Sequence, residues 1–359
     1  MTALLDVLDR ADSGDELAIR ATQVSRQRTG THARIEIALS GRVVAYSYLN
    51  VDRDEDRVRL ANRAHARLGP LRQVWEAGWL QRTLDAWCHG LWERWVAADE
   101  LEALGGELSP VRYVLEPYVV DGGGTILFGR PGGGKTYLAT LWARLIERGD
   151  SRFWPVERRP VVYLQLERSA AIFSRRIGAV NRTLGLPTGL ALVTKIARGR
   201  RLADIADALR SQLQPGTVVF LDSISRAGAG SLKDDETANQ IIDTLNSLTD
   251  TWVALAHTSH ALAESPDAHV YGSVHFGAGA DVVVQLVSQR APFDPSRLGV
   301  SLRIMPESND VPWRRPELWS MRFDERGLCE FGRGSESEWA EIAEARETST
   351  ERIIQYLRR

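Results

Sequence analysis

The chain contains 359 residues, of which 43% are hydrophobic, 26% charged and 8% aromatic, and this composition excludes a mainly disordered protein. Its 45 basic and 47 acidic residues give a net charge of -2, so a surface that binds nucleic acid would have to be local. Two cysteines are too few for a disulfide framework or a four-ligand zinc site, and no stretch approaches the ~18 apolar residues that span a bilayer. Because the first residues show no signal-peptide pattern, we expect a cytoplasmic protein without membrane contacts.

The N-terminal residues 1–105 predict a small α+β domain of unknown role. Residues 1–30 are polar and have a partly helical pattern. Residues 31–50 alternate apolar and polar side chains, which predicts a β-hairpin. Residues 52–104 follow helical spacing, and glycine-rich segments after them predict a linker over 106–124.

Tryptophans recur along the predicted helices of this domain, at Trp75, Trp79, Trp87 and Trp95. They can be interpreted as a base-stacking surface for nucleic acid or as a packed helical face. Apolar side chains at helical spacing usually form a core, which favours the packed face.

From residue 125 onward, short apolar runs alternate with helical segments. This alternation predicts an α/β fold in which a mostly parallel sheet is covered by helices on both faces. The predicted strands are 125–129, 161–166, 217–222, 251–257 and 281–286. We expect the core to extend over 125–332 and a helical tail to follow at 333–359.

The strongest motif is GRPGGGKT, which fits the phosphate-loop pattern G-x-x-x-x-G-K-[ST] at every fixed position. A predicted strand precedes it and a predicted helix follows it, as this loop requires. Its glycines let backbone N–H groups surround phosphate oxygens, Lys135 can neutralise the phosphates, and Thr136 can ligate Mg²⁺. The residues expected to contact the nucleotide are Gly129, Arg130, Pro131, Gly132, Gly133, Gly134, Lys135, Thr136 and Tyr137.

Polar residues follow three other predicted strands. Asp222 is placed to hold Mg²⁺ through water, although an aspartate at a strand end can also begin a turn. Glu167 can orient and deprotonate an attacking water, or it can form a surface ion pair with Arg168. His257 can hydrogen bond to the γ-phosphate or the attacking water, or it can be a satisfied core histidine.

These motifs, with YGSVHFGAGADVVVQL at 271–286, resemble the RecA-type ATPases in content and order. The resemblance is nearest to the hexameric plasmid helicase RepA and its phage and mobile-element relatives. It implies an ASCE P-loop core, with ATP and Mg²⁺ as cofactors. It also implies a homo-oligomeric ring or filament, a hexamer being favoured, on single-stranded DNA. The family roles carry over to Lys135, Thr136, Glu167, Asp222 and His257.

The sequence departs from this family in two places. Members often carry a basic residue in a late strand that reaches a neighbour's nucleotide, but Pro306 and Glu307 stand at the comparable stretch. The candidate replacements are Arg290, Arg303, Arg314 and Arg315. Several relatives continue into a C-terminal winged-helix unit, and we expect no such DNA-reading module here.

The resemblance also implies that the segments 225–237 and 258–272 face DNA. The candidate contacts to its phosphates are Arg226, Lys233, His260 and His269. Acidic residues in both segments offset this charge, whereas single-strand sites usually combine a basic groove with stacking aromatics. The DNA prediction therefore depends mainly on the resemblance.

Two functions of different classes remain open. The first is a DNA-dependent ATPase that acts as a helicase-like motor or a recombinase-like protein. The second is a nucleotide-gated assembly switch in a mobile-element or phage-defence complex, which recruits a protein partner through residues 1–105. A small-molecule kinase is less favoured, because an arginine-rich lid is not evident and a glutamate after the second strand suits activation of water.

Overall fold

The computed structural model describes residues 4–98, 110–258, 269–306, 308, 311–312, 314–340 and 342. Its internal contacts divide the chain into two compact units, residues 1–108 and 109–359. Within the described ranges, none of the helices combines the length and the apolar character that crossing a bilayer requires.

The first unit contains a four-stranded antiparallel sheet whose strands are neighbours in chain order. The strands are β1 (Leu4–Arg10), β2 (Glu16–Gln27), β3 (Gly30–Leu39) and β4 (Arg42–Asn50). The partly helical pattern predicted for residues 1–30 is therefore wrong. Leucine, alanine and arginine favour helix individually, but Leu17, Ile19 and Ala21 are buried in the core at every second position, which is the period of a strand.

Three helices cover one face of this sheet: α1 (Asp54–His65), α2 (Ala77–Cys88) and α3 (Leu91–Ala98). A short 3-10 helix, Gly69–Gln73, connects the first two. Trp75 and Trp87 are buried in this core, and their indole N–H groups donate to Asp9 (2.9 Å) and Asp6 (2.6 Å). These tryptophans belong to a packed face, so they do not form a base-stacking surface.

The second unit is built on a nine-stranded sheet in the order β15-β14-β13-β12-β7-β11-β10-β8-β9. The six strands from β12 to β9 are parallel, and β13, β14 and β15 extend the sheet in antiparallel fashion. Their bounds are β7 (Gly124–Gly129), β8 (Val161–Gln165), β9 (Thr194–Ile196), β10 (Val218–Asp222), β11 (Thr251–His257), β12 (Val282–Arg290), β13 (Arg297–Ile304), β14 (Glu317–Asp324) and β15 (Gly327–Arg333).

Helices lie on both faces of this sheet, so the predicted α/β fold with a RecA-like core is confirmed. The helices α4 (Lys135–Arg148) and α5 (Ala170–Thr183) pack into the core on one face. The helices α6 (Leu202–Arg210), α7 (Asp235–Leu248) and α8 (His275–Ala278) pack into the core on the other. Successive residues of the buried strands alternate between the two cores, which explains why each run is apolar throughout.

The linker predicted over residues 106–124 is wrong in its described part. Residues 113–120 form a small antiparallel pair, β5 (Tyr113–Leu115) and β6 (Val119–Val120). Val114, Leu115, Tyr118 and Val119 are fully buried in the core of the second unit. The flanking glycines suggested a linker, but the apolar side chains between them anchor the segment.

The predicted helical tail lies mostly outside the described residues. Its first residue, Arg333, belongs to β15, and Trp339 and Ile342 are buried against β12 and β14 residues. This part of the tail is therefore packed on the sheet.

Candidate active site

The strands β7, β8, β10 and β11 end at one edge of the sheet, where the predicted site residues come together. In register, Asp222 lies opposite Gln165 of β8 and Leu255 of β11, while His257 lies opposite Gly129. Ligands of open α/β sheets bind at the carboxyl ends of the strands. The register therefore brings the phosphate loop and the acidic residues to one cleft.

The backbone of the phosphate loop requires glycine at particular positions. Gly132 and Gly134 have φ values of +78° and +96°, a region that disfavours side chains. A β-carbon at Gly134 would also lie 3.2 Å from Leu298 Cδ2 and 3.3 Å from Met321 Sδ. Gly134 is the N-cap of α4, so the N–H groups of the loop lie at the positive end of that helix.

Close packing against β12 restricts the other side of the loop. A β-carbon at Gly129 would lie 2.4 Å from the carbonyl oxygen of Leu286, and one at Gly133 would lie 2.8 Å from Ser288 Oγ. The loop can therefore keep this path only with glycine at Gly129, where the close atom belongs to the backbone, whereas at Gly133 the Ser288 side chain would have to move. These glycines position the phosphate cradle on a rigid strand.

Lys135 is buried at the base of this cradle, with an exposed fraction of 6%. Its ammonium group donates to the carbonyl oxygens of Gly129 (2.7 Å) and Arg130 (2.9 Å) and lies 3.3 Å from His257 Nδ1. Burial lowers its pKa to about 8, although the charges of Asp222 and Glu167 favour the protonated form.

Asp222 is buried at the end of β10 and is surrounded by hydrogen-bond donors. Its Oδ2 accepts from the Gln165 amide (3.0 Å) and the Tyr163 hydroxyl (3.3 Å). Burial raises the pKa of this carboxyl, while the Gln165 amide and the nearby Thr136 hydroxyl favour its charged form. Asp222 and Thr136 are thus close neighbours, as two groups that share one Mg²⁺ must be.

Glu167 lies just beyond β8 and faces the same cleft. Its Oε1 accepts from the hydroxyls of Ser223 (2.5 Å) and Ser225 (2.9 Å) and lies 3.6 Å from His257 Nε2. These contacts, His257 first, lower the pKa of Glu167 to about 2. The carboxylate is therefore ionised and is held toward His257 and the two serines, not toward Arg168.

His257 connects the lysine to the glutamate. An ammonium group can only donate, so His257 Nδ1 accepts from Lys135, and the other ring nitrogen, Nε2, faces Glu167. The histidine is thus neither a core residue nor isolated. It lies between Lys135, to which it is hydrogen bonded, and the carboxylate of Glu167, which its Nε2 approaches at 3.6 Å.

A cleft of about 620 Å³ opens above these groups. Besides the loop, both acids and His257, its wall includes Tyr137, whose ring meets Phe323 edge to face at 5.2 Å between centroids. Several basic side chains also line it: Arg168, Arg175, Arg176 and Arg290. Asp324 and Glu325 line it as well, so five cationic side chains and four carboxylates surround a cleft that is large enough for a nucleoside triphosphate.

The structure separates the candidates for the arginine that reaches a neighbour. Arg303 is buried in the sheet with an exposed fraction of 6%, so the prediction that it reaches a neighbour's nucleotide is wrong. Arg290 lines the cleft of its own chain and donates to the carbonyl of Pro295 (2.6 Å), so it is placed to act in cis. Arg314, paired with Glu116, and Arg315, paired with Glu336, remain on the surface.

The two proposed DNA-facing segments are described only in part. Arg226, on a short 3-10 helix (Ile224–Arg226) after β10, and Lys233 are exposed. The acidic residues Asp234, Asp235 and Glu236 are exposed beside Lys233. His269 is also exposed, whereas His260 and Glu307 lie outside the described residues.

Three functional side chains were not predicted from the sequence: Gln165, Ser223 and Ser225. Gln165 is fully buried, donates to Asp222 and accepts from the backbone N–H groups of Glu167 (2.9 Å) and Arg168 (3.0 Å). It therefore fixes both acids relative to each other. A polar residue inside the apolar run VVYLQL was the available signal.

The donor set fits a Mg²⁺-bound triphosphate. The Thr136 hydroxyl and the Asp222 carboxylate supply the oxygen ligands that Mg²⁺ prefers, beside a loop whose positive φ values at Gly132 and Gly134 suit glycine. The Lys135 ammonium group, which lies against the loop carbonyls of Gly129 and Arg130, supplies a positive charge beside them.

Comparison with known families is consistent with this geometry. Residues 93–263 match the family model of an AAA domain. The AAA domain match includes the phosphate loop, Glu167, Asp222 and His257, and it supports a P-loop ATPase. No curated protein matches the chain at a significant level.

Proposed function

We propose that the protein hydrolyses ATP with Mg²⁺ as a RecA-like homo-oligomer, related to RepA, that acts on single-stranded DNA. It would work as a helicase-like motor or a recombinase-like protein. The observation that carries the ATPase proposal is the chain of contacts from Lys135 through His257 to Glu167, beside Asp222. These groups meet at the mouth of one cleft and match the needs of phosphate binding, metal binding and water activation.

Nucleotide binding would change the partners of Lys135. Its ammonium group would exchange bonds with the carbonyls of Gly129 and Arg130, and its contact with His257, for bonds to the phosphates. Thr136 and Asp222 would hold Mg²⁺, which neutralises phosphate charge. Gln165 would keep Asp222 aimed at that position through the bond it already makes.

Glu167 would act on the attacking water. An ionised carboxylate accepts a hydrogen bond from water and orients it toward the γ-phosphate. His257 would lose its bond to Lys135 when the lysine moves, so its ring would be free to respond to the phosphate. Loss of the γ-phosphate would reverse this exchange and alter the segments that follow β10 and β11.

An oligomer would complete the site. Arg314 and Arg315 are the surface arginines that could reach a neighbour's nucleotide, and stabilisation of phosphate charge in trans is a common role for arginine. DNA would approach Arg226 and Lys233 in this arrangement. The support for oligomerisation and DNA binding is the resemblance to the RecA-type ATPases.

The test is ATP turnover with and without a single-stranded oligonucleotide. Stimulation of about tenfold or more, equivalent to ~1.4 kcal/mol, supports the DNA-dependent enzyme. Glu167→Gln should retain nucleotide binding and lose ~10²-fold or more in turnover. Glu330→Gln, at an exposed position on β15, is the matched control and should be unaffected. Unchanged turnover in Glu167→Gln would remove the role of this residue.

One observation favours the alternative, a nucleotide-gated assembly switch with little DNA dependence. The Glu167 carboxylate already accepts from the hydroxyls of Ser223 and Ser225 and lies beside His257. These contacts lower its pKa to about 2, which makes it a weak proton acceptor and suits slow hydrolysis. Such a switch would recruit a protein partner through residues 1–105 in a mobile-element or phage-defence complex. Turnover that is slow and indifferent to DNA would favour it.

A further inference from the structure

The sheet of the N-terminal unit has one face that the helices leave uncovered. Buried Ala33, Ile35 and Ile37 face the helices, so the residues between them on β3 face outward. The same alternation turns Tyr46 and Tyr48 of β4 outward, with exposed fractions of 57% and 52%. We call Arg20, His32, Arg34, Glu36, Tyr46 and Tyr48 the open sheet face.

Polar neighbours hold both tyrosine rings in place. The Tyr48 hydroxyl lies 3.4 Å from both Ser25 Oγ and Gln27 Nε2, and its ring stacks on His32 with 6.2 Å between centroids. The Arg34 guanidinium lies over the Tyr46 ring at 4.8 Å from its centroid. Both rings are therefore ordered before any partner binds, which lowers the entropic cost of binding.

The spacing and charge of this face suit a chain of bases. Two residues along a strand span about 6.6 Å, so Tyr46 and Tyr48 form successive stacking positions. Arg20 and Arg34 lie beside them across the sheet, in register with Glu36 and Tyr48. The carboxylate of Glu36 is ion-paired with Arg34 (2.9 Å), so these three charged groups leave a net positive charge.

We propose that the open sheet face binds single-stranded nucleic acid. Bases would stack on Tyr46 and Tyr48, and Arg20 and Arg34 would contact phosphates. Exposed aromatics interleaved with arginines on an antiparallel sheet provide the stacking and the charge that such binding needs. The inference assigns a binding surface to the N-terminal unit and does not depend on ATP hydrolysis.

The experiment measures the anisotropy of labelled oligothymidine and oligouridine with the full chain, without nucleotide. We expect both to bind, with affinity that falls as salt rises. The variant with Tyr46→Ala and Tyr48→Ala should lose at least ~10-fold in affinity, since stacking on each ring contributes substantially. The variant with both tyrosines changed to phenylalanine keeps the rings and should bind normally.

Phe293→Ala is the matched control, because Phe293 is fully exposed on the second unit. Thermal unfolding of each variant identifies any loss of folding. The proposal is overturned if the wild-type chain binds neither oligonucleotide, or if the alanine pair binds as well as the wild type. It is also overturned if the phenylalanine pair is as weak as the alanine pair, or if the alanine pair alters only self-association in sedimentation. Repetition in the variant with Arg226→Ala and Lys233→Ala separates this result from the DNA contacts of the proposed function, because loss of binding in that variant but not in the alanine pair would place the oligonucleotide on the second unit.

Discussion

Lys135 is one of only three lysines in the chain, and because it is buried we expect it to titrate at a different pH from the two exposed lysines. Its pKa is lowered from 10.5 to about 8, whereas Lys195 and Lys233 are exposed. This decrease of the pKa means that the free protein destabilises the protonated form of Lys135 by about 3 kcal/mol. We predict that nucleotide binding reverses this effect, because phosphate charge favours the ammonium group.

The pH dependence of binding follows from this value. With a pKa of about 8, roughly a tenth of the lysine is neutral at pH 7 and roughly nine tenths at pH 9. Only the protonated form pairs with phosphate, so nucleotide affinity should fall by about tenfold between pH 7 and pH 9. Binding near pH 8 should take up about half a proton, which calorimetry in buffers of different ionisation enthalpy detects.

Labelling lysine with carbon-13 gives an assay with three signals, one for each side chain. One signal should titrate near 8 in the free protein and move to higher pH when a non-hydrolysable nucleotide is added. Lys195→Arg and Lys233→Arg assign the other two and serve as controls. Three signals that all titrate above 10, or an affinity that is flat between pH 7 and pH 9, would refute the reasoning.

Three further predictions concern the shape and the charges of the site. Gln165→Leu removes one of the donors to Asp222 and the acceptor of two backbone N–H groups, so it should cost about 1–3 kcal/mol in unfolding free energy. It should also raise the Mg²⁺ concentration for half-maximal turnover. Gln212→Leu, at an exposed position, is the control, and equal behaviour of the two variants contradicts the role of Gln165. Gly134→Ala should lower the free energy of unfolding by about 1 kcal/mol or more, which lowers the melting temperature, and it should weaken nucleotide binding. Gly189 has open space around it, so Gly189→Ala is the control and should leave both unchanged. Because the pKa of Glu167 is lowered, its contribution to stability is present above about pH 4.5 and is lost as the pH falls toward about 2. The difference in unfolding free energy between the wild type and Glu167→Gln should therefore shrink over this range. A constant difference would count against the contacts of Glu167 with Ser223 and Ser225.

Local patterns explain what could be predicted from the sequence. The phosphate loop requires glycine and lysine at fixed spacing between a strand and a helix, and a strand buried on both faces is apolar throughout. The placement of Glu167, Asp222 and His257 followed from the rule that parallel strands end at one edge. These features depend on neighbours in the chain, so a single sequence contains them.

The features that the sequence did not predict depend on partners far along the chain. Gln165 meets Asp222 because β8 and β10 pair in one particular register, which periodicity does not reveal. Residues 113–120 were interpreted as part of a linker because their burial against Trp142 and Trp154 is a tertiary contact. The outward tyrosines of β4 were likewise not recognised, because Tyr46 and Tyr48 are only seen to be exposed once the helices cover the other face.

The carbonyl oxygen of Gly129 has two donors in this structure: the ammonium group of Lys135 at 2.7 Å and the backbone N–H of Thr258 at 3.3 Å. Thr258 is the first residue after β11, and the carbonyl of His257 before it accepts from Tyr271 N–H at 2.8 Å. If a bound phosphate draws the Lys135 ammonium group away, the Thr258 N–H remains as a donor to that oxygen, and we expect its longer bond to shorten. We therefore expect occupancy of the cleft to affect the end of β11 through two main-chain hydrogen bonds, with the Lys135 side chain as the link to the phosphate.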